Sequence, residues 1–173
     1  MCVLCYIGVN SEIEEIKFDK NNPSFSIKKM IFSDFNEETF FAKNIYFISS
    51  GAECGCSCNF GVSNIPENVI SEVRTIVKKQ EKISKKYREY FSRKMTIEQV
   101  ENTINFRKKF AESTERLYSL IYRLCEQNDF VDFFCCWTGC EKDKPDETTQ
   151  INLNTDKLKI DFRDTTYKLI IKR

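Results

Sequence analysis

Hydrophobic and polar residues follow different periods in three successive stretches of the chain. In the first stretch, residues 2–9 are almost all apolar and several are β-branched, which is typical of a strand buried on both faces. Shorter apolar runs next to turn-forming asparagine, proline and glycine residues indicate two more strands, near residues 25–32 and 44–50. The first 62 residues are therefore predicted to form strands.

In the second stretch the apolar positions recur every three or four residues, which is the period of an amphipathic helix. One long helix is predicted over residues 66–94. A second begins at Thr96, which has the spacing of a capping box with Gln99, and extends to about Gln127. Because only a tight turn separates the two helices, they are expected to form an antiparallel hairpin.

Strand patterns return in the third stretch, in the segments DFVDFFCCW, INLNTDKLKI and YKLIIK. Strands, a helix pair and strands again, in that order, indicate an α+β fold. We expect a mainly antiparallel sheet of about five or six strands, with the long helical hairpin packed on one face. The chain is predicted to be a single domain, residues 1–173, with strands in 1–62, the helical hairpin in 66–127 and strands in 129–173.

Composition excludes several classes of enzyme. The 173 residues include no histidine, which removes Ser-His-Asp and Cys-His nucleophile pairs and every imidazole-ligated metal site. Only five glycines occur, and no two have the spacing of a phosphate-binding or dinucleotide-binding loop. The chemically distinctive feature that remains is a set of nine cysteines.

The meaning of these cysteines depends on the compartment. The opening MCVLCYIGVN lacks the basic flank and long apolar stretch of a signal peptide, and no apolar run approaches the roughly 18 residues of a membrane span. We therefore expect a soluble cytoplasmic protein with no membrane partner. In a reducing cytosol, nine thiols indicate core packing, a metal site or a reactive thiol rather than a disulfide framework.

Six of the cysteines lie in two clusters, CGCSC (residues 54–58) and CCWTGC (residues 135–140). If the sheet brings the clusters together, four thiolates can enclose a tetrahedral Zn²⁺ without histidine. The predicted ligands are Cys54, Cys56, Cys136 and Cys140. Thiolates suit Cu(I) or an iron–sulfur cluster equally well. The alternative is that most thiols, among them Cys5, Cys125 and Cys135, are small core hydrophobes.

Cys2 allows a different chemistry. Removal of Met1 would leave Cys2 at the N-terminus, where its own α-amine, with a pKa of about 8, can act as the base. Hydrolases and amidotransferases with an N-terminal nucleophile work in this way without histidine, and the opening MCVLCYIG is faintly similar to their MCGI start. Cys2 is the candidate catalytic residue of this alternative.

A basic stripe occupies residues 78–94. Eight Lys or Arg residues stand there against two glutamates, a local net charge of +6 in a chain whose net charge is +1. Such a stripe can contact an acidic protein or nucleic acid. The candidate contacts are Lys78, Lys82, Lys85 and Lys86. The alternative is an ordinary solvated helix face, on which Glu81 and Glu89 each pair with the basic residue four positions on.

Asp132 stands between Val131 and Phe133 in a strongly apolar predicted strand, beside the second cysteine cluster. A carboxylate buried there needs an arginine, a metal or a hydrogen-bond donor as its partner. Trp137, at the end of the same strand, is predicted to belong to the core rather than to a ligand platform.

Several of these motifs occur together in a family of small bacterial proteins. The motifs are an MC start on an apolar strand that ends in Ile-Gly, the strand NIYFIS leading into CGC-x-x-x-F, and the later segment VDFFCCWTG. The chain resembles this family at both ends, and the family has no activity attached to it. The resemblance places four residues in one pattern: Cys2, Cys54, Cys56 and Asp132. The cysteines at 58, 135, 136 and 140 are additions in this chain, so a four-cysteine metal site would not be a family-wide feature.

These observations favour a cytosolic protein with a cysteine-centred site, either a thiolate metal site or a redox-active thiol. Two alternatives stay open. One is an interaction module that uses the basic helix 78–94, and the other is an N-terminal-cysteine hydrolase or amidotransferase.

Overall fold

A computed structural model describes residues 3–19, 25–50, 60–160 and 166–173. Within these ranges the chain forms six strands and two α-helices: β1 (Val3–Val9), β2 (Ser26–Lys29), β3 (Asn44–Ser49), α1 (Glu67–Lys78), α2 (Ile97–Gln127), β4 (Val131–Trp137), β5 (Glu147–Asn152) and β6 (Tyr167–Lys172). Two short 3₁₀ turns are also described, Phe32–Asp34 and Lys85–Tyr87.

The six strands form one sheet in the order β2-β3-β1-β4-β6-β5. Neighbouring strands are antiparallel except β5 and β6, which are parallel. The predicted α+β class, with a mainly antiparallel sheet of about five or six strands, is confirmed.

The segment INLNTDKLKI does not form one strand as predicted. Only its first two residues lie in β5, and a turn follows in which the backbone N–H of Asp156 donates to the carbonyl of Asn152 at 2.7 Å. The Asp156 carboxylate also accepts the backbone N–H of Asn152 at 3.1 Å. Asparagine and aspartate favour such turns because their side chains bond to nearby backbone groups, and here they end the strand.

One face of the sheet carries the larger core, here called the first-face cluster. It joins alternate residues of β1, β3, β4 and β6 with the C-terminal part of α2, since successive strand residues point to opposite faces. The α2 members recur at helical spacing: Leu117, Leu120, Ile121, Leu124 and Cys125. This part of α2 therefore packs on the sheet.

The opposite face of the sheet packs against the connection between β2 and β3. Phe35 and Phe40 of this connection cluster with Tyr6 of β1 and Phe134 of β4, in what we call the second-face cluster. The rings meet edge to face, with centroids 4.9 Å apart for Tyr6 and Phe35 and 5.8 Å apart for Phe40 and Phe134. Both faces of the central strands are therefore buried.

The chain divides into two compact units. One comprises the described residues of Met1–Gly61 and Ser113–Arg173 and contains the sheet, and the other is Val62–Glu112. The second unit has an apolar cluster of its own, formed by Ile65, Ile70, Val73, Ile83, Tyr87, Phe91 and Val100. The single-domain assignment, and the packing of the whole helical hairpin on one face of the sheet, stay predictions.

The helix predicted over residues 66–94 ends earlier, at Lys78. Gln80 has a φ of 59°, and the backbone N–H of Glu81 donates to the carbonyl of Ile76 at 3.0 Å, which closes the helix end. The apolar residues that continue the helical spacing are nevertheless buried, because a loop with a 3₁₀ turn directs them into the same cluster: Ile83, Tyr87 and Phe91. Their spacing alone could not distinguish this loop from a continuing helix.

The second predicted helix is confirmed as α2. Its capping box is formed as expected, because the Gln99 N–H donates to Thr96 Oγ1 at 3.2 Å and the Thr96 N–H donates to Gln99 Oε1 at 2.9 Å. Neither α2 nor any other helix in the described part of the chain combines the length and apolar character needed to cross a bilayer.

Candidate functional site

The predicted cysteine site falls only partly within the described residues. Cys2, Cys54, Cys56 and Cys58 lie outside them. The N-terminal nucleophile and the four-thiolate site therefore stay predictions. Of the predicted zinc ligands, Cys136 and Cys140 are described.

Cys135 and Cys136 point to opposite faces of the sheet, because they are successive residues of β4. Cys135 belongs to the first-face cluster, whereas Cys136 belongs to the second-face cluster, against which Cys140 packs. The motif CCWTGC therefore does not present three thiols together. Cys136 and Cys140 are the two of these residues that share a side of the sheet.

The surroundings of Cys136 and Cys140 disfavour thiolates. Burial, with the Glu141 carboxylate nearby, holds the pKa of Cys136 well above its ordinary value. A hydrogen bond to Asp143 raises the pKa of Cys140, and partial burial adds to this rise. Because a thiol must lose its proton to bind a metal, any cation here would have to displace protons from both sulfurs. Among the described residues, no three or more cysteine, aspartate and glutamate side chains are arranged to hold a metal ion.

Two other thiols meet in the first-face cluster. Cys5 of β1 and Cys135 of β4 are direct partners in the antiparallel register, and their Sγ atoms lie 3.2 Å apart. Both residues are fully buried. Their burial fits the core role considered from the sequence, but their pairing was not visible there, since the strand register alone brings residues 130 positions apart together.

Asp132 is fully buried, and its partners are one lysine and two backbone N–H groups. Lys168 Nζ lies 3.2 Å from Oδ1, and the N–H groups of Phe41 and Ala42 donate to Oδ2 at 2.7 and 3.2 Å. The cation is thus Lys168 of β6 rather than the arginine or metal considered from the sequence. Burial raises the pKa of Asp132 and lowers the pKa of Lys168, because the interior disfavours either charge without its partner.

Gly8 lies beside Asp132 in the β1–β4 register and makes room for the segment that Asp132 binds. A Cβ on Gly8 would lie 2.6 Å from Cδ1 of Phe40 and 3.2 Å from the Cβ atoms of Ala42 and Asp132. A side chain at this position would therefore displace residues 40–42 from the sheet. Gly8 and Asp132, which belong to the motifs on which the resemblance proposed from the sequence rests, have a packing role here.

The degree of burial of two strand residues, Trp137 and Lys168, was not predicted from the sequence. Trp137 is half-buried at the end of β4, opposite Val3, and is not a member of the three core clusters. Lys168, which is 2% exposed, was not a candidate, although a lysine between Tyr167 and Leu169 in an apolar strand was a signal that a buried carboxylate partner exists.

A pocket of about 600 Å³ opens in the unit Val62–Glu112, between the end of α1 and the first turn of α2. Its basic lining residues are Lys78, Lys82 and Lys94, and its apolar lining includes Val77, Met95 and Ile97. Glu81 and Thr96 also line it. A concave surface that combines apolar side chains with a few converging charges is typical of a ligand-binding site.

The lysines of the predicted basic stripe have different surroundings in the structure. Lys86 does not line the pocket. It forms an ion pair with Glu72, whose Oε2 lies 2.9 Å from Lys86 Nζ, and its Nζ lies 4.4 Å from the ring centroid of Tyr87. Lys78 and Lys82 line the pocket together with Lys94, which was part of the stripe but not among the four candidate contacts. The predicted helix-face pairs of Glu81 and Glu89 lose their helical geometry, because α1 ends at Lys78.

Comparisons with models of known protein families, with characterised proteins and with solved structures find no match to this chain. The pocket and the thiols are therefore interpreted from their own geometry and chemistry.

Proposed function

We propose that this chain is an interaction module whose basic pocket binds an acidic segment of a partner protein. The observation that carries the proposal is the convergence of Lys78, Lys82 and Lys94 on one concave surface. Residues from the end of α1 and the start of α2 are brought together there by the loop that replaces the predicted long helix.

The three lysines are available to a ligand. All three are exposed, and none lies within ion-pairing distance of a carboxylate in the part of the chain that the structure describes. Three lysines stand against one carboxylate, Glu81, in the pocket lining, a net charge of +2, so a carboxylate that enters the pocket is attracted. The first turn of α2 adds backbone N–H groups without intrahelical partners, which increases the positive potential.

An acidic peptide suits this pocket better than nucleic acid. The net charge of the chain is only +1, whereas nucleic-acid-binding domains are usually basic over a whole face. No aromatic side chain lines the pocket to stack on a base. The apolar residues Val77, Met95 and Ile97 instead favour a segment that combines carboxylates with aliphatic side chains.

The test reverses the charge of the pocket. We expect Lys78→Glu/Lys82→Glu/Lys94→Glu to weaken binding of a fluorescent peptide rich in glutamate and leucine by roughly 10-fold to 100-fold, measured by fluorescence anisotropy. The stability of this variant should be nearly unchanged, because exposed charges contribute little to folding. Single-stranded oligothymidylate of matched length serves as the competing ligand.

A matched control changes the total charge equally but leaves the pocket intact. Lys17, Lys108 and Lys157 are exposed and outside the pocket, so reversing these three should leave peptide affinity within about twofold of the original. Equal weakening in both variants, or tighter binding of oligothymidylate than of the peptide, would contradict the proposal.

A thiolate metal site is the second candidate function. It is supported by Cys136 and Cys140, which share one side of the sheet, and its remaining predicted ligands are Cys54 and Cys56. Elemental analysis of protein purified without added metal tests it directly. This function requires about one equivalent of zinc, released at low pH as the thiolates take up protons, and less than about a tenth of an equivalent of any transition metal would count against it.

A further inference from the structure

The two central strands of the sheet place one thiol pair in an arrangement that the proposed functions do not use. Cys5 and Cys135 face each other across β1 and β4, on the same face of the sheet, with 3.2 Å between their sulfurs. Directly opposed residues of an antiparallel pair have Cα atoms about 4.5 to 5.5 Å apart, within the range that a disulfide spans. Bond formation brings the two sulfurs from 3.2 Å to about 2.05 Å.

We propose that Cys5 and Cys135 are a modification site that a hydroperoxide converts into a cross-strand disulfide. The pairing is selective because of the sheet geometry. Cys136 is adjacent to Cys135 in sequence but belongs to the second-face cluster, so the sheet lies between Cys136 and the thiol of Cys5. Cys135 therefore pairs with a residue 130 positions away rather than with its neighbour.

The reaction has two steps. In the first, one sulfur attacks the peroxide as a thiolate, the O–O bond breaks, and the sulfur becomes a sulfenic acid while one water or alcohol leaves. In the second, the other sulfur attacks the sulfenic sulfur, the S–S bond forms, the S–O bond breaks and water leaves. Two thiols are oxidised with the loss of two hydrogen atoms, and one hydroperoxide is reduced.

Burial determines when this reaction occurs. Both residues are 0% exposed, so a peroxide reaches them only when the central strands open locally. The reaction should therefore be slow in the folded protein, and the product should be hard to reduce again. Once formed, the bond links β1 to β4 and closes a loop of residues 5–135, which is most of the chain. Such a loop lowers the conformational entropy of the unfolded state.

Peptide mapping tests the proposal on the full chain. Protein is first reduced, then treated with hydrogen peroxide, its remaining thiols are blocked with N-ethylmaleimide, and it is digested with trypsin without reduction. We expect a linked species of peptides 1–17 and 124–142 that is two hydrogen atoms lighter than their sum, in which fragmentation locates the bond between Cys5 and Cys135. Absence of this species, or a bond from Cys2 or to Cys136, would overturn the proposal.

Single substitutions give an independent readout. Cys135→Ala should abolish the linked species, whereas the matched Cys136→Ala should leave its yield within about twofold of the original. Loss of the species in Cys136→Ala with Cys135 intact would argue against the pair. If Cys135→Ala does not fold, as judged by circular dichroism, the fragmentation of the unsubstituted protein decides the outcome.

Discussion

A buried charge pair, Asp132 with Lys168, ties three parts of the sheet unit together. Asp132 lies on β4, Lys168 on the neighbouring β6, and the carboxylate also holds the backbone of Phe41 and Ala42. Lys168 Nζ lies 3.7 Å from the ring centroid of Phe41, which is itself 65% exposed. Asp132, which the sequence indicated as part of a chemical site, therefore stabilises the packing of residues 40–42 on the sheet.

Removal of one member of this pair should destabilise the fold more than removal of both. Asp132→Asn leaves the buried Lys168 without its counter-charge, so we expect a loss of about 3 to 5 kcal/mol in the free energy of unfolding. Adding Lys168→Met to this variant should restore part of the loss. Urea denaturation of the single and double variants measures the coupling, and strictly additive losses would contradict the pairing.

Cys125 gives the protein a specific sensitivity to alkaline pH. Its thiol is buried against the first face of the sheet, where burial raises its pKa from 9.0 to about 11. Since the folded state holds this proton more tightly than the unfolded state, the stabilisation is complete below pH 9 and is lost as pH rises toward 11. The free energy of unfolding should therefore fall by about 2 to 3 kcal/mol in total once the Cys125 thiol is ionised in both states.

Comparison with Cys125→Ala isolates this effect from other titrating groups. The stability advantage of the unsubstituted protein over Cys125→Ala should shrink by more than about 1 kcal/mol between about pH 8 and pH 10.5. Urea denaturation in the presence of a reducing agent measures it. An advantage that stays constant across this range would mean that the Cys125 thiol does not titrate differently in the two states.

At the scale of elements, the start of α2 is where sequence and structure agree most closely. Thr96 and Gln99 satisfy each other's backbone N–H groups in the predicted capping box, and Thr96 also lines the basic pocket. The cap thus determines both where the helix begins and the shape of the pocket wall.

Loss of this cap should have a measurable cost. Thr96→Ala leaves the N–H of Gln99 without its side-chain acceptor, so we expect the free energy of unfolding to fall by about 1 kcal/mol. Thr103 is the matched control, because its hydroxyl bonds back to the Gln99 carbonyl inside the same helix. Thr103→Ala should change stability by less than about 0.5 kcal/mol in the same thermal or urea denaturation, and equal losses would contradict the capping role.

At the scale of the whole molecule, strand position should determine local stability. β1 and β4 are central and buried on both faces, whereas β5 is an edge strand and mostly exposed. We expect amide hydrogens of β1 and β4 to exchange most slowly in the sheet, and those of β5 to exchange on the order of 100-fold faster or more. Hydrogen exchange followed by mass spectrometry measures this, and uniform protection across the sheet would contradict it.

The sequence alone determined those features that depend on neighbouring residues. The period of apolar residues identified the strands around Val3–Val9, Val131–Trp137 and Tyr167–Lys172, and the cap at Thr96 located the start of α2. The α+β class followed from the order of these segments. Such features are predictable because alternation and capping act between residues a few positions apart.

Only the tertiary structure decided which distant residues meet. It ended α1 at Lys78, because a loop buries Ile83, Tyr87 and Phe91 in the positions that a helix would otherwise direct inward. It turned Cys135 toward Cys5 and Cys136 away from it, and it provided Asp132 with Lys168. Strand register and loop path fix these contacts across long separations in sequence, and no local spacing specifies either of them.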